Sequence, residues 1–460
     1  MNRAFTEGKT MNRFRLCTIT AIILLGLLRT SHAQEPVSDD NIIAGARALG
    51  MGGAQIAAVN DITAVVHNPA ALARLDKLEI QLGLNTFKTN LETDLRSSTQ
   101  NGSGSISDNL TSLGTIGVAY PVPTDRGNLV FALAYNRVKD FTGTFRNGFY
   151  DEYAFQTESE DWDGYVTEEN IEEGGLKIVS LAGAVDVAPN VSIGASIDIW
   201  TGSYQIDKRF LRNNYEGADG VQNTGDEESW LDVLGGEDKI SAWSFKPSVL
   251  YFKKNFRFGA YMRLPMTFHI DQDNYEKYYT SNTGYFFNIH ESSQPDTSDY
   301  YGANFEIKAP MQLGFGISLG QPGNRCLALD MVYENWKEAE DVDFPYYFRD
   351  KYRPSLNWRV GAEHYIPVLN IVGRVGYLRQ PVNFKGPREN FFGAPGIDVE
   401  NERDYVTFGV SKNFDDNFQL DFGYAHGFWR VKEGYRQDKE THDRIFASFT
   451  YRMPVIPKIE

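Results

Sequence analysis

The chain has 460 residues, a length typical of one large β-barrel. Its mean hydropathy of −0.40 excludes a helical membrane protein. Its formal net charge of −16 argues against a nucleic-acid partner, because phosphates attract Lys and Arg. Aromatic residues make up 13% of the chain and 42 residues are Gly, which together indicate β-structure with two chemically different faces.

The N-terminus has the features of a signal peptide. Arg13 and Arg15 precede the apolar run 16–28, and the Ser-His-Ala sequence at 31–33 resembles a cleavage site. The run is too short to span a bilayer comfortably. We therefore predict an exported protein whose signal peptide covers residues 1–33.

The chain has two Met residues near its N-terminus and two Cys residues in all. Either Met1 or Met11 could be the start of the signal peptide. Cys17 lies in the apolar run and would be lost on cleavage, which leaves Cys326 alone in the mature chain. No intramolecular disulfide is then possible.

From residue 78 onward, apolar and polar residues alternate, as in β-strands with two different faces. In 311–319, for example, one face carries Met311, Leu313, Phe315, Ile317 and Leu319. About fourteen such segments are predicted, at 78–95, 112–121, 128–141, 176–187, 191–203, 240–253, 256–270, 304–320, 325–338, 356–366, 370–380, 404–414, 418–429 and 442–452.

The connections between these segments alternate in length. The short ones are rich in the Pro, Gly, Asn and Asp residues of tight turns. Long loops are predicted at 96–111, 142–175, 204–239, 271–303, 339–355, 381–403 and 430–441. An even strand count with alternating short and long connections is typical of an outer-membrane barrel. The predicted fold class is therefore all-β, a transmembrane antiparallel barrel.

Charged residues lie opposite the apolar stripe, where a soluble β-sandwich would need an apolar core. In a barrel they would face the lumen: Arg257, Arg263, Asp330, Glu334, Arg359, Glu363, Arg374 and Asp421. Aromatic residues near strand ends fit an interfacial girdle, with ordinary packing as the alternative. They are Trp200, Tyr204, Trp243, Trp336, Tyr377 and Trp429.

The segment 34–77 differs from the strands, because it is built mainly of small residues that can pack closely against backbone. Gly50, Gly52 and Gly53 would permit sharp turns. The sequence Asn68-Pro69-Ala70 predicts a turn that leads into a short helix. We predict that this segment plugs the barrel and that Arg47, with the lumen charges, seats it.

The sequence GARALGMGGAQIAAVNDITAVVHNPAALARL, at 45–75, resembles the N-terminal hatch of the FadL/TodX family of outer-membrane transporters. The C-terminal half follows the same family in order and spacing, from APMQLGFGIS to DYVTFGVSKNFDDNFQLDFGYAHG. The resemblance implies a fourteen-stranded barrel with a hatch that takes up long-chain fatty acids or hydrocarbons passively. It also implies hatch-controlled, lateral release of the ligand.

The predicted domains are the signal peptide at 1–33, the hatch at 34–77, the barrel at 78–452 and a C-terminal tail at 453–460. The tail departs from the family, because such barrels often end on an aromatic residue. We expect a monomer in the outer membrane, in contact with its lipids.

The predicted loops contain two candidate sites. Aromatic residues and one cation could form a ligand groove: Phe286, Phe287, Tyr346, Tyr347, Phe348, Arg349, Phe391 and Phe392. Oxygen ligands at short spacing could hold a structural Ca²⁺, although a solvated acidic loop is the alternative. They are Asp219, Asn223, Asp226, Glu228 and Asp232. No other cofactor is expected.

The sequence contains no zinc-binding or nucleophile-elbow motif, so we do not expect an enzyme. The serious alternative is an outer-membrane barrel that acts as a scaffold in protein secretion, because some relatives with the same N-terminal pattern have that role. The substrate, the position of the lateral gate and the oligomeric state are not determined by the sequence.

Overall fold

The computed structural model describes residues 43–96, 100–156, 161–214, 228–281, 295, 297–341, 349, 352–381, 383, 397–433 and 436–455. The predicted signal peptide lies outside these residues. Among them, no helix is both long enough and apolar enough to cross a membrane.

The strands pair into one closed antiparallel sheet, in which β18 returns to pair with β1. They are β1 Lys77–Arg96, β2 Gln100–Val122, β3 Leu129–Asp140, β4 Gly143–Gln156, β5 Asp161–Ala188, β6 Val191–Asn214, β7 Glu228–Lys253, β8 Phe256–Arg263, β9 Met266–Ser281, β10 Thr297–Ala309, β11 Gln312–Gln321, β12 Arg325–Asn335, β13 Glu340–Asp341, β14 Pro354–Ile366, β15 Ile371–Gln380, β16 Ile397–Asn413, β17 Phe418–Glu433 and β18 Arg436–Pro454.

Four pairs of these strands are halves of one interrupted strand. β3 and β4 both pair with β5, and β8 and β9 both pair with β7. In the same way β11 continues β10, and β13 continues β12. Counting each pair once gives a closed barrel of fourteen antiparallel strands, which confirms the predicted fold class.

The outward face is apolar around the barrel. Its exposed side chains form an apolar band that includes Leu82, Phe131, Ile197, Phe315 and Phe408, which are between 46% and 52% exposed. The alternation predicted from the sequence therefore points its apolar residues outward, as lipid contact requires.

Strand length is where the prediction from sequence was wrong. β5 alone has 28 residues, although about 9–11 residues suffice to cross a bilayer. Most of the loops predicted at 96–111, 142–175, 204–239, 271–303 and 430–441 are instead continuations of strands, and β16 takes in 397–403. Simple alternation stops at the edge of the apolar band, because above it the outer face is polar.

The strand ends on the side of the long connections form what we call the outer extension. It begins at the strand breaks at 141–142, 264–265, 310–311 and 336–339. There the apolar side chains turn inward and form a buried cluster, which includes Trp200, Phe268, Ile307, Trp336 and Tyr352. On the outer face, Lys308 pairs with Glu340 at 3.1 Å.

This arrangement corrects four of the six predicted girdle residues, and one of them, Tyr204, packs against the buried apolar cluster. Trp200, Trp336 and Trp429 are 1%, 0% and 4% exposed, so they lie inside the barrel. Trp243, at 66% exposed, does face outward. At the C-terminus, β18 continues through Met453 to Pro454, two residues beyond the predicted end of the barrel.

Residues 43–76 lie inside the barrel and are called the hatch segment below. It contains two short helices, α1 Ala46–Gly50 and α2 Ala64–His67, and a 3₁₀ helix at Pro69–Arg74. Nearly all of its residues from Ile43 to Ala73 are buried. The small side chains predicted to pack against backbone therefore face the inner wall.

Candidate functional site

The hatch segment packs against the inner wall through glycine. A Cβ atom on Gly50 would lie 2.8 Å from Cα of Gly409 in β16. Gly52 has φ +62, and a Cβ there would lie 2.7 Å from the backbone N of Tyr377 in β15. A larger residue at either position would push the two backbones apart. Gly53, the third predicted glycine, has φ +77 and packs against Arg359.

Arg47 in α1 joins the hatch segment to a buried charge network. Its Nη2 donates to Oε1 of Glu363 at 2.8 Å, and its Nη1 donates to Oε1 of Gln55 at 2.5 Å. Glu363 Oε2 accepts from Arg374 Nε at 3.1 Å, and Arg374 Nη1 donates to Asp421 Oδ1 at 3.0 Å. Four of the predicted charges thus form one chain of ion pairs, and each is at most 5% exposed.

Two more of the predicted lumen charges contact the backbone of the hatch segment. Asp330 Oδ2 accepts from the N–H groups of Gln55 and Ile56, at 2.5 and 2.7 Å. Arg359 Nη1 donates to the carbonyl of Gly53 at 3.4 Å. These bonds satisfy backbone groups that would otherwise be buried without partners.

Of the other three predicted lumen charges, Arg263 and Glu334 bond to each other. The Arg263 Nη2 atom donates to Glu334 Oε1 at 2.7 Å, and both side chains are buried. Arg257 is partly buried, and its Nη1 has no hydrogen-bond partner among the described residues.

The predicted Asn68-Pro69-Ala70 turn caps the 3₁₀ helix. Asn68 Oδ1 accepts from Ala70 N at 3.1 Å, and Pro69 occupies the first helical position. Asn68 Nδ2 donates to the carbonyls of Ile56, at 2.7 Å, and Val249 in the wall, at 3.3 Å. One side chain therefore holds the turn, the rest of the hatch segment and β7 together.

His67, in α2, was not among the predicted site residues. Burial lowers its pKa from the usual 6.5 to about 4. Its Nε2 lies 3.2 Å from the carbonyl oxygen of Ala44. Arg359 and Lys246 also disfavour the charged imidazole, and Asp61 only partly compensates. A neutral histidine thus lies where the hatch segment meets the wall.

A pocket lies above the hatch segment, between it and the inner faces of β1, β3 and β15–β18. Its empty volume is about 850 Å³, which includes space open to solvent. Ile43 and Leu49 of the hatch segment form its floor, and Leu378 and Phe87 line its sides. A packed set of rings continues the wall, because His442 lies 4.2 Å from Trp429 and 4.6 Å from Phe87, centroid to centroid.

Cationic side chains line the same pocket. Arg444 Nε donates to Asn85 Oδ1 at 2.8 Å, and its Nη2 donates to the carbonyl of Ile43 at 3.0 Å. Arg403 lies over the Trp429 ring, with its Cζ 5.1 Å from the centroid. Arg137 and Lys139 also line the pocket, whereas Asp140 is its one acidic lining residue among those the structure describes. The pocket is thus locally cationic in an acidic protein.

Beside this pocket the ladder of paired residues between β2 and its neighbour in the wall is interrupted. β2 pairs with β3 as far as Thr115 and Asn136, and next with β4 at Asn101 and Tyr150. Over 102–114 and 137–149, which are fully described in backbone, no pairing joins the two strands. The pocket-lining residues Arg137 to Asp140 lie at the lower edge of this gap.

Comparison with known proteins identifies the family. A model of the outer membrane protein transport family, OMPP1/FadL/TodX, matches residues 36–453. The chain belongs to this family. It is therefore an outer-membrane transport barrel for hydrophobic compounds, as its family membership establishes, and not an enzyme. No curated protein sequence is significantly similar to it.

Solved structures show the same fold at low identity. The toluene transporter TodX of Pseudomonas putida has a TM-score of 0.59 and 13% identity, and the match covers 90% of this chain and 100% of that one. A FadL homologue of Pseudomonas aeruginosa has a TM-score of 0.58 at 13% identity, with 90% and 99% covered. The Ralstonia pickettii toluene transporter TbuX has a TM-score of 0.51 at 14% identity, and the match covers 90% of this chain and 99% of that one.

Most of the predicted ligand groove lies outside the described residues: Phe286, Phe287, Tyr346, Tyr347, Phe348, Phe391 and Phe392. Arg349 is described and exposed. Of the predicted Ca²⁺ ligands, Asp219, Asn223, Asp226 and the side chain of Glu228 lie outside the description. Asp232 is buried and forms an ion pair with Arg212. Within the described part of the chain, no group of acidic, His or Cys residues could hold a metal ion.

The sequence analysis did not assign any residue to this pocket and placed Trp429 in the girdle, although alternation could have found some of the lining residues. Trp429 has the same parity as Asp421, an inward residue already predicted for the lumen. His442 and Arg444 likewise share the parity of the buried Phe446 in β18. All three lie within the predicted strands 418–429 and 442–452, so applying the alternation along these strands would have put their side chains inside the barrel.

Proposed function

We propose that this transporter binds a long-chain fatty acid or a hydrocarbon in the pocket above the hatch segment and releases it sideways. The single observation that carries this proposal is that three features lie side by side in the barrel. The pocket has an apolar floor made by the hatch segment, rings on its wall and a gap in the barrel beside it.

Apolar contact would supply most of the binding free energy, at roughly 25 cal/mol per Å² buried. The cations favour a ligand with a carboxylate, because an Arg–carboxylate bond is among the stronger hydrogen bonds in proteins. Arg444 is the best candidate, since it lies between the wall and the carbonyl of Ile43. The toluene transporters of similar fold are named for a neutral ligand, so both ligand classes belong in the test.

The hatch segment would control passage because it fills the lumen below the pocket. The network that joins Arg47, Glu363, Arg374 and Asp421 would set how firmly it is seated. Two packings of this network would make the gate a two-state element. A lateral route avoids moving the whole segment, because the gap lies above it.

The experiment is equilibrium binding to purified, delipidated protein, with radiolabelled oleate and toluene as the probes. Saturable binding of either probe is expected, and Arg444→Gln should weaken oleate binding about tenfold while leaving toluene binding unchanged. Arg430→Gln is the matched control, because Arg430 is exposed on the neighbouring strand β17. If neither probe binds to folded wild-type protein, the proposal fails and the secretion-scaffold function becomes the better one.

A further inference from the structure

Two cations face each other on the outer wall, above the apolar band. Arg430 in β17 opposes Lys439 in β18, and both side chains are exposed. The adjacent Trp429 is buried against the pocket, which places Arg430 on the outward face of the sheet. Directly opposed residues of antiparallel strands have Cβ atoms about 5 Å apart, so like charges at such positions repel each other. An anion held between the two side chains would relieve this repulsion.

The protein itself balances only part of this positive charge. Lys439 Nζ lies 2.8 Å from Glu92 Oε2 in β1, but both side chains are open to water, which screens the ion pair. Arg430 has the uncharged Asn401 as its ladder partner in β16, and it forms no hydrogen bond or ion pair with any other residue that the structure describes. Arg430 and Lys439, called the outer cationic pair below, therefore share one carboxylate.

Aromatic side chains continue the same outward face below the outer cationic pair. Phe428, the next outward residue of β17, is 45% exposed. Below it, His426 Nδ1 and the Tyr424 hydroxyl lie 2.8 and 2.6 Å from Asp443 Oδ1, so these polar atoms already have a partner. Phe422 follows within the apolar band and is exposed. An acyl chain lying along β17 would thus contact rings from the band up to Phe428.

The spacing along β17 matches the layers of a bilayer surface. Successive outward residues of one strand are about 6.6 Å apart, because each residue advances the strand by roughly 3.3 Å. The headgroup layer on one side of a bilayer is roughly 5–8 Å deep. With Phe428 at the upper edge of the hydrocarbon, Arg430 lies at the depth of the lipid phosphates.

Exposed cations on the opposite side of the barrel have acidic partners instead. Lys308 in β10 lies 3.1 Å from Glu340, and Lys239 in β7 lies 3.9 Å from both Glu237 and Asp273. Acidic groups are at least as numerous as cations there, which disfavours a phosphate. The excess of positive charge at the outer cationic pair is therefore a local feature of a chain whose formal net charge is −16.

We propose that Arg430 and Lys439 bind the phosphate of an outer-leaflet lipid, whose acyl chain packs on Phe428 and Tyr424. A phosphate between the two cations replaces their repulsion with charge-assisted hydrogen bonds. The ligand is thus an acylated phosphate ester, held by its headgroup and its chain together. This site lies on the outside of the barrel and does not depend on the pocket or on the uptake of a ligand.

Native mass spectrometry of the delipidated protein in detergent counts the lipids that stay bound. Dioleoyl phosphatidic acid is the probe. Dioleoylglycerol has the same chains without a phosphate, and glycerol 3-phosphate has the phosphate without chains. The wild-type protein should retain one phosphatidic acid molecule at concentrations that leave the other two compounds unbound.

Substitutions locate the site on the outer wall. Arg430→Gln and Lys439→Gln should each weaken phosphatidic acid binding about fivefold, as expected for one cation at a lipid surface, and the double variant should lose more than either. Arg430→Lys should keep most of the affinity, because the charge remains. Phe428→Ala should also weaken binding, because it removes a contact with the chain. Lys308→Gln is the matched control, because Lys308 is an exposed cation that already pairs with Glu340.

A further variant separates this site from the pocket. Arg444→Gln should leave phosphatidic acid binding unchanged, and a loss in Arg444→Gln alone would place the lipid in the pocket and overturn the inference. The substitutions of the outer cationic pair should leave oleate binding unchanged, because both side chains point away from the pocket.

Three other results would also overturn the inference. The first is unchanged phosphatidic acid binding in the double variant, with its barrel intact by circular dichroism. The second is equally tight binding of glycerol 3-phosphate, which would indicate an adventitious ion only. The third is absence of phosphatidic acid binding to the folded wild-type protein, whatever the result with oleate.

Discussion

The apolar band and the outer extension place their apolar side chains on opposite faces of the same sheet. In the band, Leu82 and Phe315 face outward, while Arg374 and Asp421 are buried inside. In the extension, Phe268 is buried inside, and Lys308 is exposed outside. The environment explains the difference, because lipid surrounds the band and water surrounds the extension.

The strand breaks make this inversion possible. Arg263 and Met266 both point inward although they are three positions apart, an odd spacing that alternation alone would forbid. The residues between them, at 264–265, interrupt the strand, and 310–311 interrupt the neighbouring one. A local irregularity in adjacent strands thus changes which residues face the lumen while the ladder continues above it.

The largest expected effect is on the apolar interior of the extension. Phe268 is fully buried and packs edge-to-face on Trp200, with ring centroids 5.9 Å apart. Phe268→Ala should destabilise the barrel toward the upper end of roughly 3–5 kcal/mol, measured by urea unfolding in lipid vesicles. Phe131→Ala, on the outward face of the band, is the control. Equal losses of unfolding free energy in the two variants would contradict the conclusion that a buried apolar core stabilises the outer extension.

A slightly smaller effect is expected in the polar interior of the band. Arg47→Met removes one member of the buried ion network and leaves Glu363 with Arg374. We expect a loss of about 3 kcal/mol in the seating of the hatch segment, because the buried Glu363 loses one of its two cationic partners. Single-channel conductance in planar bilayers would show more frequent opening.

The control for Arg47 is Arg74→Met, at the other end of the hatch segment. Arg74 pairs with Asp186, but its side chain is 18% exposed, compared with 4% for Arg47. Its loss should raise the conductance less. Identical conductance in wild type and Arg47→Met would remove the network from the gating proposal.

The same comparison explains what could be predicted from sequence. Inside the band, alternation is strict, so the strand count and the inward charges such as Asp330 and Glu363 were found. In the extension the outer face is polar, and the strand breaks change which residues of the alternating pattern point inward. For this reason β4 and the upper parts of β5–β7 were predicted as loops. Trp336 and Trp429 were misplaced for the same reason, because an aromatic residue suits either a membrane interface or an apolar lumen. Ion-pair partners such as Arg47 and Glu363 needed three-dimensional structure, since 316 positions separate them.

Substitutions of outward-facing residues distinguish the part of the barrel surface that contacts lipid from the part that contacts water. Leu82→Arg, in the apolar band of β1, should cost roughly 2–3 kcal/mol, because a cation on the lipid face of a barrel is destabilising. Glu306→Arg is the matched variant on the outer face of the extension, where Glu306 is 47% exposed, and its effect should be small. Folding yield in vesicles and urea midpoints measure both. A similar cost for the two variants would place the extension in lipid as well.

The smallest expected effect is a pH dependence that arises from His67. Its pKa is about 4 in the seated hatch segment and returns to about 6.5 when the segment leaves the wall, so the displaced state binds a proton more readily. Seating is therefore strongest above pH 6.5 and weakens as the pH falls toward 4. At pH 5.5 the loss should be about 1.4 kcal/mol, a roughly tenfold rise in the open fraction. Conductance recorded at pH 7 and pH 5.5 tests this, with His67→Gln as the variant that should lose the difference. A His67→Gln protein with the wild-type pH response would assign that response to other groups.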